Sequence, residues 1–266
     1  MNGAGIVLLT LIVLTGILSP VIAPHDPWER FGAFLEPGRG HLLGTNDMGN
    51  DILSELLYAS RVSLAVGFGT AGIATILGVG IGLVSGYFRG AVDDILMGIT
   101  DVFLMIPRIP LIIILIAFLK PGYGLMVLVL GFLWWTQTAR VVRSKVLQVR
   151  EQAFITSQKT LGFGNGRIIV SDVLPNIIHI IVPKFMLTVA SAMIAESSLS
   201  FLGLGDASAK SWGMMIKYAF ERGGFIQDLW WWYVAPGAAI TATVLSLVLV
   251  GFSAAEEGPE ISTIPG

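Results

Sequence analysis

Apolar runs dominate this chain and polar residues punctuate it, so the spacing of charges predicts where helices begin and end. Residues 5–22 carry no charge, and 18 residues just cross a hydrocarbon core of about 30 Å. A secretory signal is the alternative. No Lys or Arg precedes the run, however, and Pro20, Pro24 and Pro27 fill the place of a small-residue cleavage site. A retained first transmembrane helix over residues 1–23 is expected. A polar segment, residues 24–62, separates it from a second uncharged run at 63–88. Gly78, Gly82 and Gly86 recur there every four residues, a small-residue face that lets another helix come close.

The third span, from about residue 95 to 119, is unusual because it holds Asp101, Pro107, Arg108 and Pro110. Charges near a helix centre cost on the order of 2.5–3.5 kcal/mol each, so they face protein or a water-filled path. Asp101 and Arg108 share a similar face but lie roughly 10 Å apart along a straight helix. They read either as charges met by another helix or as residues lining a path. Lys120-Pro121-Gly122-Tyr123-Gly124 reads as an outer turn, and residues 125–139 as a fourth span with Trp134 and Trp135 at the headgroup boundary. A fifth span covers residues 177–201 and contains Glu196 beside Ser197 and Ser198, either a hydrogen-bonded structural acid or a gate. The sixth, residues 230–252, opens on Trp230-Trp231-Trp232-Tyr233, an interfacial belt. The expected fold is all-α and polytopic, with about six transmembrane helices.

Composition agrees. Of 266 residues, 54% are hydrophobic and 13% charged, against about 25% charged in soluble domains. The absence of cysteine excludes disulfides, thiolate metal sites and Cys nucleophiles. No G-x-x-x-x-G-K-[ST] occurs, so no nucleotide phosphate cradle is built here. His25, His41 and His179 are scattered and no H-E-x-x-H appears, so neither a zinc hydrolase nor a metal site is expected. Ser85, in Gly82-Leu83-Val84-Ser85-Gly86, reads as a packing residue rather than an intramembrane nucleophile. Asp47 and Asp51, with Asn46 and Asn50, lack the denser oxygen series and late Glu of a calcium loop. Asn50 or Asp51 is instead expected to cap a helix running through Leu53, Leu57 and Tyr58. A net charge of −2 points to no nucleic-acid partner.

Charge placement singles out residues 140–176. Arg140, Arg143, Lys145, Arg150, Lys159 and Arg167 stand there against Glu151 and Asp172. A basic stretch between apolar spans belongs on the cytoplasmic face. With Arg89 the inner loops hold seven Lys and Arg, and the outer segments also hold seven, so orientation rests on the central loop. Within it, residues 146–161 read as a helix with Val146, Val149, Ala153 and Leu161 on one side. The Gly162-Phe163-Gly164-Asn165-Gly166 run breaks that helix. A second short amphipathic piece, residues 167–174, ends or kinks at Pro175.

The spacing of Gly162, Leu174 and Pro175 resembles the coupling loop of ABC-importer permeases, where Glu-Ala-Ala, three residues, Gly, nine residues, Ile, one residue and Leu-Pro form the motif. Thr156, Ser157 and Gln158 stand here in place of Glu-Ala-Ala, and Asp172 in place of the Ile. Residues 56–64, Leu-Leu-Tyr-Ala-Ser-Arg-Val-Ser-Leu, resemble the peptide-type branch of the family. So does Ser198-Leu199-Ser200-Phe201-Leu202-Gly203-Leu204-Gly205 followed by Trp212-Gly213-Met214-Met215, which hydropathy alone does not require. The chain is thus similar to permease subunits of the dipeptide, oligopeptide and nickel ABC importers.

That resemblance implies a type I ABC importer permease fold, with a core over residues 63–253, a short tail at 254–266 and both termini cytoplasmic in the cell membrane. It implies a second related permease subunit, two cytoplasmic ATPases that hold ATP and Mg²⁺, and an extracytoplasmic binding protein that delivers the solute. Phe154, Thr156, Ser157, Gln158, Thr160, Leu161, Gly162, Leu174 and Pro175 would form the ATPase-docking loop. This chain would bind no cofactor and catalyse nothing itself. The competing class is an ion-coupled carrier working through Asp101, Arg108 and Glu196, which would show inverted repeats with broken helices.

Overall fold

A computed structural model describes residues 2–119 and 122–256. Lys120 and Pro121 of the expected turn, and Glu257 and Glu260 of the tail, lie outside the described residues. Among those described, the chain is helical with one isolated bridge, Thr45 to Asp51. Five helices are long and apolar enough to cross a membrane, and the count reaches the expected six when one bent pair is taken as a single broken span.

Helix α1 (Asn2–Ile22) lies against α2 (Ile52–Phe88) and the last helix, α10 (Trp230–Glu256). Asp51 starts α2 as its N-cap, accepting from the Ser54 amide at 2.8 Å. The capping role therefore holds, and one carboxylate oxygen, Oδ2, is taken by the helix it begins. Down its length α2 packs on α5 (Tyr123–Arg150). A Cβ built on Gly78, Gly82 or Gly86 would come within 2.5, 2.7 and 2.8 Å of α5 atoms. The four-residue glycine repeat is the contact face. Ser85 belongs to the same seam, donating to Asp93, whose carboxylate also grips Arg143 at 2.6 and 2.5 Å.

Four expectations are corrected. The third span is two helices, α3 (Gly90–Met105) and α4 (Arg108–Leu119), bent by 80°. Pro107 explains the break, because it forces Ile106 into extended backbone, φ −76° and ψ 127°. The fourth span does not stop at Ala139. It runs to Arg150, since Arg140 and Arg143 find Asp101 and Asp93 on α3 and need no loop to solvate them.

The tryptophan belts are largely core. Trp135 is 5% exposed and meets Phe103 edge-on, while Trp231 and Trp232 are buried and only Trp230 is open. Finally, Pro175 does not end a helix. A four-residue α7 (Asn165–Ile168), a π turn (Ile169–Val173) and α8 (Leu174–Leu199) follow one another without a gap. Pro175 sits in the first turn of α8, and the wider π turn before it relieves the clash its ring would make with the preceding turn.

A second π turn (Ser200–Leu204) closes α8, and α9 (Trp212–Glu221) folds back beneath it. Three apolar clusters hold the bundle. One joins α1, α2, α8, α9 and α10, and a second joins α2, α4, α5 and the end of α8. The third lies at the charged end, where Leu83, Tyr87, Val146 and Val149 meet Ile155, Ile168, Val173 and Ile177.

Candidate functional site

The charged loop is built on that third cluster. After Arg150 the chain turns at Glu151 and Gln152 and forms α6 (Ala153–Thr160). The helix has the lone buried residue Ile155, which is 0% exposed and anchors it in the cluster. Sequence periodicity chose the wrong side here. Ala153 and Leu161 were expected to be apolar contacts, yet Ala153 is exposed and Leu161 is 73% exposed. The turn at Glu151 rotates α6 relative to α5, so one register does not run through both.

Gly162 ends α6 for a conformational reason. Its φ is +83°, and its amide donates to the Lys159 carbonyl at 3.0 Å. The Phe163 amide donates to the Gln158 carbonyl at 3.2 Å. The pair of bonds is a Schellman stop, which calls for glycine at the left-handed position. A Cβ there would meet no atom within 4 Å, so the demand is on the backbone alone.

The expected docking residues occupy one exposed strip and its base. Phe154 (39% exposed), Thr156, Ser157, Thr160, Leu161 and Gly162 are open, and Gln158 is half-buried. Leu174 is half-buried against the cluster and Pro175 is exposed, at the root of α8 rather than on the strip. Two large apolar side chains open on and just after so short a helix form a surface that none of the described residues covers.

Side chains that sequence spacing gives no reason to pair hold the strip in place. Arg89, at the corner between α2 and α3, takes φ +58°, an uncommon state for a residue with a Cβ. Its guanidinium donates to Glu151 at 2.5 Å. That bond and its charge hold the Glu151 carboxyl below the usual glutamate range. Tyr87 donates to Asn165 at 2.9 Å, and Lys159 lies 4.9 Å from the centre of the Tyr87 ring. A helix corner and a loop 60 to 80 residues later in the chain are thus clamped at both ends of α6, with separations of 62 and 78 residues. Nothing in the spacing of Arg89 or Tyr87 announces this, because the partners are set by how α2 and α5 cross.

Asp101, Arg108 and Glu196 are not brought together. Asp101, about half exposed, pairs with Arg140 at 2.6 Å. Arg108 reaches Thr136 at 3.4 Å and stacks over Trp134 at 5.9 Å. Glu196 is fully buried and accepts from Ser200 at 2.8 Å and Ser197 at 3.2 Å. Close by, the Trp212 amide donates to Ser63 and the Trp212 indole to the Leu56 carbonyl. The Ser-Leu-Ser-Phe-Leu-Gly-Leu-Gly and Trp-Gly-Met-Met stretches therefore pack on one another around α2. Gly213 has to be glycine, since a Cβ would fall 2.7 Å from the Ser197 Cα.

At the opposite end from α6, Lys210 pairs with Glu55 at 2.5 Å and Arg222 with Asp47 at 2.6 Å. These bonds border a charged cleft of about 250 Å³ that Trp28 and Arg30, from the segment before α2, also line. The histidines are not all scattered. His25 and His41 meet with ring centroids 5.0 Å apart, near Asp51, which corrects the expectation drawn from their separation in sequence.

The profile of a family described as binding-protein-dependent transport system inner membrane component matches residues 78–256. The chain is 33% identical over 251 residues to the dipeptide transport system permease protein DppC of Bacillus subtilis, covering 93% of this chain and 78% of that protein. It is 30% identical over 256 residues to DppC of Haemophilus influenzae, covering 93% and 86%. With the oligopeptide transport system permease protein OppC of Bacillus subtilis it shares 32% over 250 residues, covering 93% and 81%. A solved structure of the MetNI methionine ABC transporter, in inward-facing conformations, superposes with a TM-score of 0.64 at 16% identity, over 77% of this chain and 97% of that one. At that identity the likeness is one of fold.

Proposed function

The chain belongs to the family of binding-protein-dependent transport system inner membrane components, and from that premise we propose what it carries and how it is driven. It is a multi-pass membrane protein with the type I importer fold and a permease subunit of an ABC importer, working with ATPase and substrate-binding components. Membership of the family decides for ATP-driven import over the ion-coupled carrier. Peptides are the solutes we assign to it, because the similar permeases are named for dipeptides and oligopeptides.

In this account residues 140–176 and both termini lie on the cytoplasmic side. A second, related permease subunit completes the pathway. ATP and Mg²⁺ sit on the ATPases, and this chain contributes no catalytic group. Helix α6 seats in a groove of an ATPase, with Phe154 and Leu161 as its apolar contacts. Closure of the ATPases on nucleotide pushes α6. The push passes through Ile155 into the buried cluster, and through Arg89 and Tyr87 into α2. Asp101 and Arg108, half-open at the α3–α4 bend, are the candidates for the path. Glu196, enclosed by serines, has a structural role.

The observation that carries this account is α6 itself, an apolar strip left open yet clamped from behind at both ends. Gly162→Pro tests it. Proline cannot take φ +83° and has no amide for Lys159. In reconstituted transporter at equal membrane abundance, ATP hydrolysis should continue while uptake is lost. Normal uptake would rule the coupling role out.

A further inference from the structure

His25, His41 and Asp51 are left unused by the transport account. His25 follows α1, His41 lies midway along the segment to α2, and Asp51 caps α2. One donor atom from each lies within 4.8 Å of the other two. Both imidazoles stand against Phe31, with centroids 5.0 and 4.6 Å away, so their planes are fixed by packing.

Hydrogen bonds settle which atoms are available. His25 Nε2 lies 3.1 Å from the Gly40 carbonyl. A carbonyl only accepts, so Nε2 carries the proton and Nδ1 keeps its lone pair. Metal-bound imidazoles are oriented by that same bond to a backbone carbonyl. Asp51 Oδ2 accepts from the Ser54 amide at 2.8 Å and the Ser54 hydroxyl at 2.7 Å, which aims Oδ1 at His41. His41 Nδ1 and Asp51 Oδ1 are 2.9 Å apart. In a tetrahedral site two donors bonded at about 2.0–2.2 Å stand roughly 3.4 Å apart, so this pair opens by only about half an ångström to take an ion in place of the shared proton.

We propose that His25, His41 and Asp51 bind a late first-row divalent cation of the zinc class. Two imidazoles and one carboxylate suit such an ion, whereas Ca²⁺ and Mg²⁺ prefer all-oxygen sets. His41 then meets the ion through Nδ1, in place of its hydrogen bond to Asp51, and carries its proton on Nε2. His25 is partly exposed, which leaves a fourth position for water. The ion ties the exit of α1 to the entry of α2 through one centre. This site is independent of the coupling account and stands or falls separately.

The test uses the full-length protein purified in detergent without a polyhistidine tag and stripped with a chelator. Co²⁺ should give the visible absorption of a nitrogen-ligated ion at one equivalent per chain, and Zn²⁺ should displace it. Zn²⁺ should raise the melting temperature, and Mg²⁺ should not. His25→Ala leaves the α2 cap intact. It should match the wild type in melting temperature without metal and weaken Zn²⁺ binding by more than about tenfold. Absence of the Co²⁺ spectrum in wild-type protein would overturn the proposal, and so would equal Zn²⁺ affinity in His25→Ala.

Discussion

Tyr87, one residue from the end of α2, donates its hydroxyl proton to Asn165 at 2.9 Å across 78 residues of chain. Its ring also receives Lys159 of α6 at 4.9 Å. One side chain of the bundle thus holds both the short exposed helix and the start of the helical run that returns into the bundle. That geometry makes the loop a stiff attachment rather than a tether.

Removing only the hydroxyl tests the attachment. Tyr87→Phe deletes a hydrogen bond worth about 0.5–1.5 kcal/mol and keeps the ring beneath Lys159. Solute imported per ATP hydrolysed should fall in reconstituted transporter, with ATPase assembly unchanged. Tyr87→Ala should lower it further, because the ring belongs to the buried cluster.

The Arg89–Glu151 bond predicts a pH dependence. The folded Glu151 carboxyl sits below its ordinary range because of Arg89. Its contribution is therefore complete above the ordinary glutamate value of about 4.3, and is lost as the pH falls through the lower folded value. The chain contains no cysteine, so a nitroxide on Ser157→Cys reports on α6 alone. Its mobility should stay constant from neutral pH down to roughly 4.3 and rise only below that. Glu151→Gln should show the higher mobility at every pH.

The α2–α5 seam is intolerant of side chains. Gly82→Leu places carbon where a Cβ already meets the Ala139 carbonyl at 2.7 Å. Overpacking of this kind costs about 1–3 kcal/mol or more, so the melting temperature in detergent should drop. Gly80→Ala on the same helix meets no atom within 4 Å and should leave it unchanged.

Glu196 should behave as an anchor. Glu196→Ala strands the buried Ser200 hydroxyl, costing about 1–3 kcal/mol, and also removes the partner of half-buried Ser197, so it should lower thermal stability. Glu196→Gln keeps an acceptor for Ser200 and should retain uptake. Loss of uptake in Glu196→Gln at unchanged stability would instead give the carboxylate a direct part in the pathway.

Much of this was legible from single positions. The apolar runs marked the spans, the glycine repeat marked the α2–α5 seam, and Asp51 marked the start of α2, because each effect is local in the chain. Gly162 was visible as a break for the same reason. The failures share another cause. The Pro107 bend, the extension of α5 to Arg150 and the burial of Trp135, Trp231 and Trp232 all depend on what stands opposite. A charge paired across a helix contact looks like a loop when only its own segment is read. The clamp formed by Tyr87, Arg89, Glu151 and Asn165, and the meeting of His25 with His41, exist only in three dimensions.

The seat of α6 is the claim on which transport by this chain turns. The direct measurement is a photo-cross-linker on Ser157→Cys, in the intact transporter with its ATPase and binding-protein components. The account predicts covalent capture of an ATPase subunit from this position, and none from the same probe on Leu42→Cys at the other end of the bundle. Capture of the binding protein, or of lipid alone, from residue 157 would contradict it.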